Sequence, residues 1–348
     1  MVSPASGLLT CSNKRRRHEY LLPGNTGDSS KEKPYMKIGI IGSGMVGSSS
    51  AYALIMAGVG GELVLVDKDR TRAQAEADDL LHAVPFAHPR VVKAGDITDL
   101  ETCELILYTA GVSQMPGESR LALLQRNIEI VEQVLPEVFR VAPAAIFLIA
   151  TNPVDVMTHA IGERAIQYGL DRQRVIGTGT TLDTSRFRAL LGEYLNVDAR
   201  HVHAYVLGEH GDSEVMPWST ITIGGLPLDR FCELQGVQLS GEKRSEIEER
   251  VRKAAYHIIE GKGATYYGIG AAVTHIIDAI EHDHRSILTV STHVDQVEGE
   301  EDVTLSLPHI VGGEGIIKRL PIELDPDEHK ALALSARIIR NVIAELNG

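Results

Sequence analysis

His210 stands in the run Gly208-Glu209-His210-Gly211-Asp212-Ser213, between small residues and acids. Imidazole has the ordinary pKa best suited to proton transfer near neutral pH, and glycine neighbours let a substrate approach it closely. A lone loop histidine is more often a surface or hydrogen-bonded structural residue, so His210 needs partners before it reads as an acid/base. Asp183 and Arg186, in Leu182-Asp183-Thr184-Ser185-Arg186, offer them. A carboxylate beside an imidazole raises its pKa and fixes its tautomer, as donation to a developing alkoxide requires. Asp183 reads equally well as a helix cap. Arg186 shares a helix face with Asp183, and its planar fork matches a substrate carboxylate; the plainer reading is a surface arginine.

A second constellation lies nearer the start of the folded chain. The apolar run Ile38 to Ile41 leads into Gly42-Ser43-Gly44-Met45-Val46-Gly47, a helical pattern follows to about Gly58, and Leu63 to Val66 ends on Asp67. Strand, G-x-G-x-x-G turn, helix, strand and acid together are a dinucleotide-binding fingerprint. The first glycine permits the tight turn, the second lets backbone N–H groups reach a pyrophosphate at the helix N-terminus, and the third lets helix and strand pack closely. Asp67, 20 residues beyond Gly47, would accept both ribose hydroxyls and repel a 2′-phosphate, which favours NAD over NADP. Between these constellations, the polar loop Gly111 to Arg120 carries Pro116 and Gly117 and is suited to close as a lid, with Arg120 at its end placed to polarise a carbonyl.

The elements that must position these groups alternate. Arg70 to Ala83 reads as helix, Val91-Val92 and Leu105 to Leu107 as buried strands, and Leu121 to Val141 as a long helix bent or interrupted at Pro136. Ala145 to Ile149 is a further buried strand, ending at Thr151-Asn152-Pro153. Such alternation implies a doubly wound parallel sheet of the Rossmann type, with ligands at the carboxyl ends of its strands. After Gly177 the pattern changes. Helices are expected over Leu182 to Leu195, Glu242 to Glu260, Gly268 to Glu281 and Asp327 to Leu346, with strand-like pieces at His201 to Leu207 and from Ser286 to Ile317. This predicts an α/β chain whose dinucleotide domain (36–177) is followed by a mixed α+β substrate and catalytic domain (178–348).

Composition bounds the function. A length of 348 residues suits two domains. The net charge of -13 argues against nucleic-acid binding, and no apolar run approaches the ~18 residues of a membrane span. Cys11, Cys103 and Cys232, widely spaced and odd in number, read as reduced thiols of a cytoplasmic protein. The first 35 residues, with the basic run Lys14-Arg15-Arg16-Arg17, are expected to be a disordered extension. A chain starting at Met36 is expected to fold and be active. No metal site is expected: His282-Asp283-His284 reads as a solvated helix end and Glu298 to Asp302 as an exposed turn. Trp218 and Tyr266-Tyr267 read as packing residues.

The segments IGSGMVG, LVLVD, TAGVSQMPGESR, TNPVD, GTGTTLDTSRFR, GEHGDS and KGATYYGIG, in this order from Lys37 to Gly270, together resemble the L-lactate/malate dehydrogenase family. The resemblance implies reversible, NAD-dependent hydride transfer to a 2-oxo acid. His210 would be the acid/base, Asp183 its partner, Arg186 the carboxylate holder and Arg120 the carbonyl polariser. Asn152 would orient substrate and His210, Thr265 would line the pocket, and Ile269 would pack on the nicotinamide. Gly42, Gly44, Met45, Val46, Gly47, Asp67 and Asn152 would contact the cofactor. In this family the Gln114 position reads the substrate side chain. Arginine there suits the second carboxylate of oxaloacetate; glutamine favours a small uncharged group such as the methyl of pyruvate. A malate or broader 2-hydroxy-acid dehydrogenase, and a non-catalytic NAD-binding protein, are the competing readings. Arg188 and His203 match the positions that bind fructose 1,6-bisphosphate between subunits in activated relatives, and the resemblance implies a homotetramer.

Overall fold

The central strands of the first half are short and apolar on both faces, as strands covered by helices on each side must be, whereas the edge strand at Val91–Ala94 exposes Val91 and Lys93. The computed structural model describes residues 35–88, 90–112 and 119–347, so the basic run, Cys11 and Gln114 lie outside the described residues. Along the chain come β1 (Lys37–Ile41), α1 (Met45–Ala57), β2 (Glu62–Val66), α2 (Arg70–Ala83), β3 (Val91–Ala94), β4 (Leu105–Tyr108), α3 (Arg120–Val141), β5 (Ile146–Ile149), α4 (Val154–Gln167) and β6 (Val175–Gly177). These strands run parallel in the order β3-β2-β1-β4-β5-β6, the doubly wound arrangement the sequence predicts. Successive side chains point to opposite faces. Ile38, Ile40, Leu63 and Leu65 pack with residues of α1 and α2, and Ile41, Val64, Ile106 and Tyr108 with α3 and α4. Each fully buried Leu or Ile contributes roughly 1.5–3 kcal/mol.

The helix α3 runs to Val141 with Pro136 inside it, so of the expected bend or interruption at Pro136 the interruption does not occur. An interior proline loses one N–H donor and sets its ring against the carbonyl four residues back, at a cost of about 3 kcal/mol; the apolar residues Leu135, Val138 and Phe139, all buried, hold that turn in the core and offset it.

The second half continues with α5 (Thr181–Leu195), β7 (Val202–His203), β8 (Thr222–Ile223), β9 (Leu226–Pro227), α6 (Leu228–Gln235), α7 (Gly241–Lys262), α8 (Tyr267–Glu281), β10 (Ser286–Val297), β11 (Glu300–Gly312), β12 (Gly315–Arg319) and α9 (Pro326–Asn347). Its three long strands do not form a separate sheet. They extend the first one antiparallel, giving nine strands that end β5-β6-β10-β11-β12. The junction is a single pair, Ser291 with Gly177, and glycine makes it feasible. At Gly179 (φ +54) an added Cβ would lie 2.5 Å from the Ser291 backbone nitrogen, so only a bare backbone crosses here. The remaining strands, β7-β8-β9, form a small antiparallel sheet. It packs with α5, α6 and α7 through Phe187, Leu191, Val206, Ile221, Cys232 and Ile247. Trp218 meets Phe187 edge-on with ring centroids 5.0 Å apart, the packing role expected of it.

Candidate active site

The glycine loop joins β1 to α1. Gly47 cannot carry a side chain, because its Cβ would lie 1.9 Å from the Gly42 carbonyl oxygen. Gly44 is the opposite case: nothing lies within 4 Å of a Cβ built there, and no side chain caps α1. The open N-terminus of α1, with Met45 and Val46 in its first turn, is an anion cradle of backbone N–H groups and helix dipole. The Ser43 hydroxyl beside it is buried without a partner. Asp67, at the end of β2, accepts the Ser43 N–H at 2.6 Å and the Asp69 N–H at 2.9 Å, so the acid also fixes the loop. An open cradle, an orphaned buried hydroxyl and a carboxylate at the next strand end fit a dinucleotide.

The acid/base group is assembled from both halves of the chain. His210 follows an isolated bridge, Gly208 to Ser306, and the Glu209 N–H donates to the Ser335 hydroxyl of α9 at 2.8 Å. The His210 N–H donates to Asp155 Oδ2 at 2.7 Å. Its ring meets Asp183, with Nδ1 2.6 Å from Oδ2. A carboxylate can only accept, so Nδ1 carries the proton and Nε2 is left for a substrate. Helix α5 starts at Thr181, so Asp183 stands inside the first turn and is not the cap. Buried hydroxyls fix that turn. Thr184 Oγ1 lies 2.9 Å from Thr289 Oγ1 of β10 and accepts the Val206 N–H at 2.9 Å.

Electrostatics follow from this geometry. Burial works against a charged His210, but the Asp183 charge and hydrogen bond outweigh it, with Asp155 and Glu214 adding, and the imidazole is pushed up to about 9. Burial also works against ionised Asp183, yet His210 and Arg186 hold its carboxyl below the usual range. The Arg186 Nη1 donates to Asp183 Oδ1 at 2.7 Å. One carboxylate thus sets both the acid and the guanidinium, whose remaining N–H groups can fork a substrate carboxylate.

The other predicted residues stand on several elements, and Gln114 lies outside the described residues. Arg120 begins α3, after Ser119 caps it by accepting the Ala122 N–H at 3.1 Å. Asn152 lies in the loop after β5, where its carbonyl accepts from Asn127 Nδ2 at 3.2 Å. Asn127 Oδ1 also accepts the Val112 N–H at 2.9 Å, so this buried amide ties the two loops together. Thr265 precedes α8 and Ile269 lies in its first turn, half-buried; Gly270, next to it, packs on α1 at Ser49. A cavity of about 120 Å³ opens beside His210, lined by Leu121, Leu124, Asp155, Ile339 and Val342 among others. Arg188 and His203 come close in the chain path: Arg188 Nε donates to the carbonyl of Ala204 at 2.8 Å, and its guanidinium lies over the Tyr205 ring. His203 is exposed.

Sequence reasoning gave no role to Asp155, Glu214, Ser291 or Asn127. Asp155 lies in the TNPVD segment and Glu214 directly after GEHGDS, so their positions were in view; their partners, distant in sequence, were not. Asp278, His282 and His284 converge on the surface, with the Asp278 carboxylate 3.0 Å from His282 Nδ1 and 3.5 Å from His284 Nδ1. Their ligand atoms lie close enough to one another, at the end of α8, to share one ion. Cys103 and Cys232 are buried free thiols.

Comparison with known proteins agrees with this reading. The family model for the lactate/malate dehydrogenase NAD-binding domain matches residues 36–177, and that for the alpha/beta C-terminal domain matches 180–347. The chain is 54% identical to an L-lactate dehydrogenase of Geotalea daltonii, over 90% of this chain and 100% of that one. It is 51% identical to one of Thermus aquaticus, over 89% and 99%. The crystal structure of a minor L-lactate dehydrogenase from Enterococcus mundtii superposes with a TM-score of 0.85 at 39% identity, over 90% of this chain and 99% of that chain. With both family models in register across one continuous sheet, this chain belongs to the lactate/malate dehydrogenase family.

Proposed function

We propose that the chain is an NAD-dependent L-lactate dehydrogenase that interconverts pyruvate and L-lactate. The observation that carries this reading is the shared Asp183 carboxylate, 2.6 Å from His210 Nδ1 and 2.7 Å from Arg186 Nη1. The glycine loop and Asp67 would hold NADH, whose chemistry would be to supply a hydride to the keto carbon. Arg186 holds the carboxylate of the 2-oxo acid through parallel hydrogen bonds. That places the keto oxygen towards His210 Nε2, which gives up its proton as negative charge develops on that oxygen. Asp183 then stabilises the histidine through the proton transfer and keeps its ring in place. Arg120 polarises the carbonyl, and Asn152 orients substrate and imidazole. Thr265 lines the pocket and Ile269 backs the nicotinamide. Gln114, neutral, selects the methyl of pyruvate over a second carboxylate, which would be buried unpaired at a cost of several kcal/mol.

This reading divides the chain into a dinucleotide domain (36–177) and a substrate domain (178–348). It places the enzyme in the cytoplasm, in glycolytic or fermentative metabolism, as a homotetramer. Among the described residues no helix is long and apolar enough to cross a membrane. Arg188 and His203 form the arm of a fructose 1,6-bisphosphate activation site. Following NADH absorbance with pyruvate, oxaloacetate and a branched 2-oxo acid, with and without the bisphosphate, tests these points together. Pyruvate should give the highest kcat/KM, and the bisphosphate should lower its KM. Preference for oxaloacetate would make the chain a malate dehydrogenase. Inertness towards every keto acid would overturn the enzymatic reading, and an unchanged KM would remove the activator.

A further inference from the structure

Asp155 stands in the first turn of α4 with 2% of its surface exposed. Both carboxylate oxygens accept hydrogen bonds: Oδ2 from the His210 backbone N–H at 2.7 Å, Oδ1 from the hydroxyl of Ser291 at 2.6 Å. Ser291 belongs to β10, at the pair that joins the two halves of the sheet. Asp155 therefore ties three segments at one point, directly behind the acid/base group. A neutral amide would satisfy the same two donors, since a serine hydroxyl can accept as well as donate. A buried carboxylate costs more to place there than an amide. What an amide lacks is negative charge beside the imidazole.

We infer that Asp155 is a positioning residue for His210, fixing its backbone while its charge acts as a second support for the imidazolium beside Asp183. This rests on the acid/base role proposed above. The groups facing His210 are Asp183 of α5, Asp155 of α4 and Glu214 beyond the loop. Those facing Asp155 are His210, Glu209 and, from β10, Ser291. Burial pushes the Asp155 carboxyl up to about 6, against the lowering effects of Ser291 and His210, so the carboxylate is charged at neutral pH. Asp183 titrates below the ordinary range, and burial with the charge of Asp183 pushes Glu214 up to about 8. Of these acids Asp155 is therefore the one expected to titrate near pH 6.

The test uses the full chain with isotope-labelled histidine, the His210 signal being assigned by its loss in His210→Gln. In the wild type the His210 ring resonance should show its main titration at alkaline pH and a smaller coupled step near 6. In Asp155→Asn, which keeps both hydrogen bonds, the small step should vanish and the main titration should move down by about one pH unit. The alkaline limb of kcat/KM for pyruvate should move with it, about tenfold at the alkaline end, with NADH affinity unchanged. Ser291→Ala keeps the charge and should leave the alkaline limb in place, whereas a purely structural role would make the two variants behave alike. A wild-type titration without the step near 6, or an Asp155→Asn titration that does not move, overturns the inference. The resonance reads the imidazole without turnover, so inertness towards pyruvate would count against the lactate dehydrogenase reading alone.

Discussion

Replacing Asp183 with asparagine tests the site at its centre. The substitution preserves volume and removes the charge that outweighs burial in raising His210 from 6.5 to about 9. At 1.36 kcal/mol per pH unit the net rise amounts to about 3 kcal/mol, with Asp183 its largest source and Asp155 and Glu214 adding to it. Only the imidazolium can donate to a keto oxygen, so reduction follows its population. At pH 8 a pKa of about 9 keeps roughly nine-tenths of the histidine protonated; an ordinary value leaves about 3%, a loss of about 30-fold. At pH 6 both proteins are mostly protonated, and proton supply accounts for less than about a factor of two. What remains at pH 6 is positional: the ring has lost its 2.6 Å anchor and Arg186 its charged partner. The assay is kcat/KM for pyruvate from NADH absorbance at each pH, which reports the free binary complex. The ratio of wild type to Asp183→Asn should grow about 20-fold or more from pH 6 to pH 8. A ratio independent of pH would refute the claim that Asp183 governs the protonation of His210.

The glycine loop separates two kinds of damage. Gly44→Ala meets no protein atom within 4 Å and should leave the melting temperature unchanged while weakening NADH binding, read by fluorescence titration. Gly47→Ala places a Cβ 1.9 Å from a backbone oxygen and should lower both; unimpaired NADH binding in either variant would refute the cradle. His159 and His309 are buried, and burial pushes both down to about 4. Their folded pKa lies below the unfolded one, so the unfolded chain binds the extra protons, and stability falls as pH drops from about 6.5 to 4, by about 3 kcal/mol for each histidine. Asp155, raised to about 6, acts in the opposite sense, so the clean comparison is with His309→Gln, whose urea midpoint should fall less steeply over that window; equal slopes would refute the assignment. Gln114→Arg should raise kcat/KM for oxaloacetate relative to pyruvate by tenfold or more, roughly the value of pairing an otherwise unpaired carboxylate; no rise would defeat the selectivity argument.

How far the site could be read in advance depended on how local its chemistry was. The glycine loop and Asp67 lie on adjacent elements, and strand, turn and helix periodicity place them without tertiary knowledge. The pairing of His210 with Asp183 spans 27 residues and was legible through the family resemblance, since a loop histidine and an aspartate at a helix start each have a plainer reading. Even so, the sequence left Asp183 poised between cap and partner. The decision came from Thr180 and Thr184, whose buried hydroxyls fix where α5 begins. Asp155 and Ser291 are 136 residues apart, and neither has a local signature that names the other. The merger of β10 to β12 with the first sheet was similarly invisible. It rests on one residue pair and on a crossing only glycine permits, whereas alternation of strands and helices describes each half by itself.

The consequence of that merger is an uneven set of acids around one imidazole. Asp183, Asp155 and Glu214 all act on His210, and burial and the repulsion between neighbouring carboxylates spread their ionisation over different pH values. Environment sorts them. Asp183 faces both the imidazole and the Arg186 guanidinium and stays ionised. Asp155 has two donors but no cation directly bonded, and titrates at about 6. Glu214 is buried with Oε1 unpartnered and rises to about 8. At pH 7 the arrangement therefore holds two negative charges and one neutral acid about a protonated histidine. Were Glu214 ionised as well, its repulsion with Asp183 would work against the very pair that orients the ring. Keeping one acid neutral through burial lets the other two serve the imidazolium, one on the ring and one on the backbone.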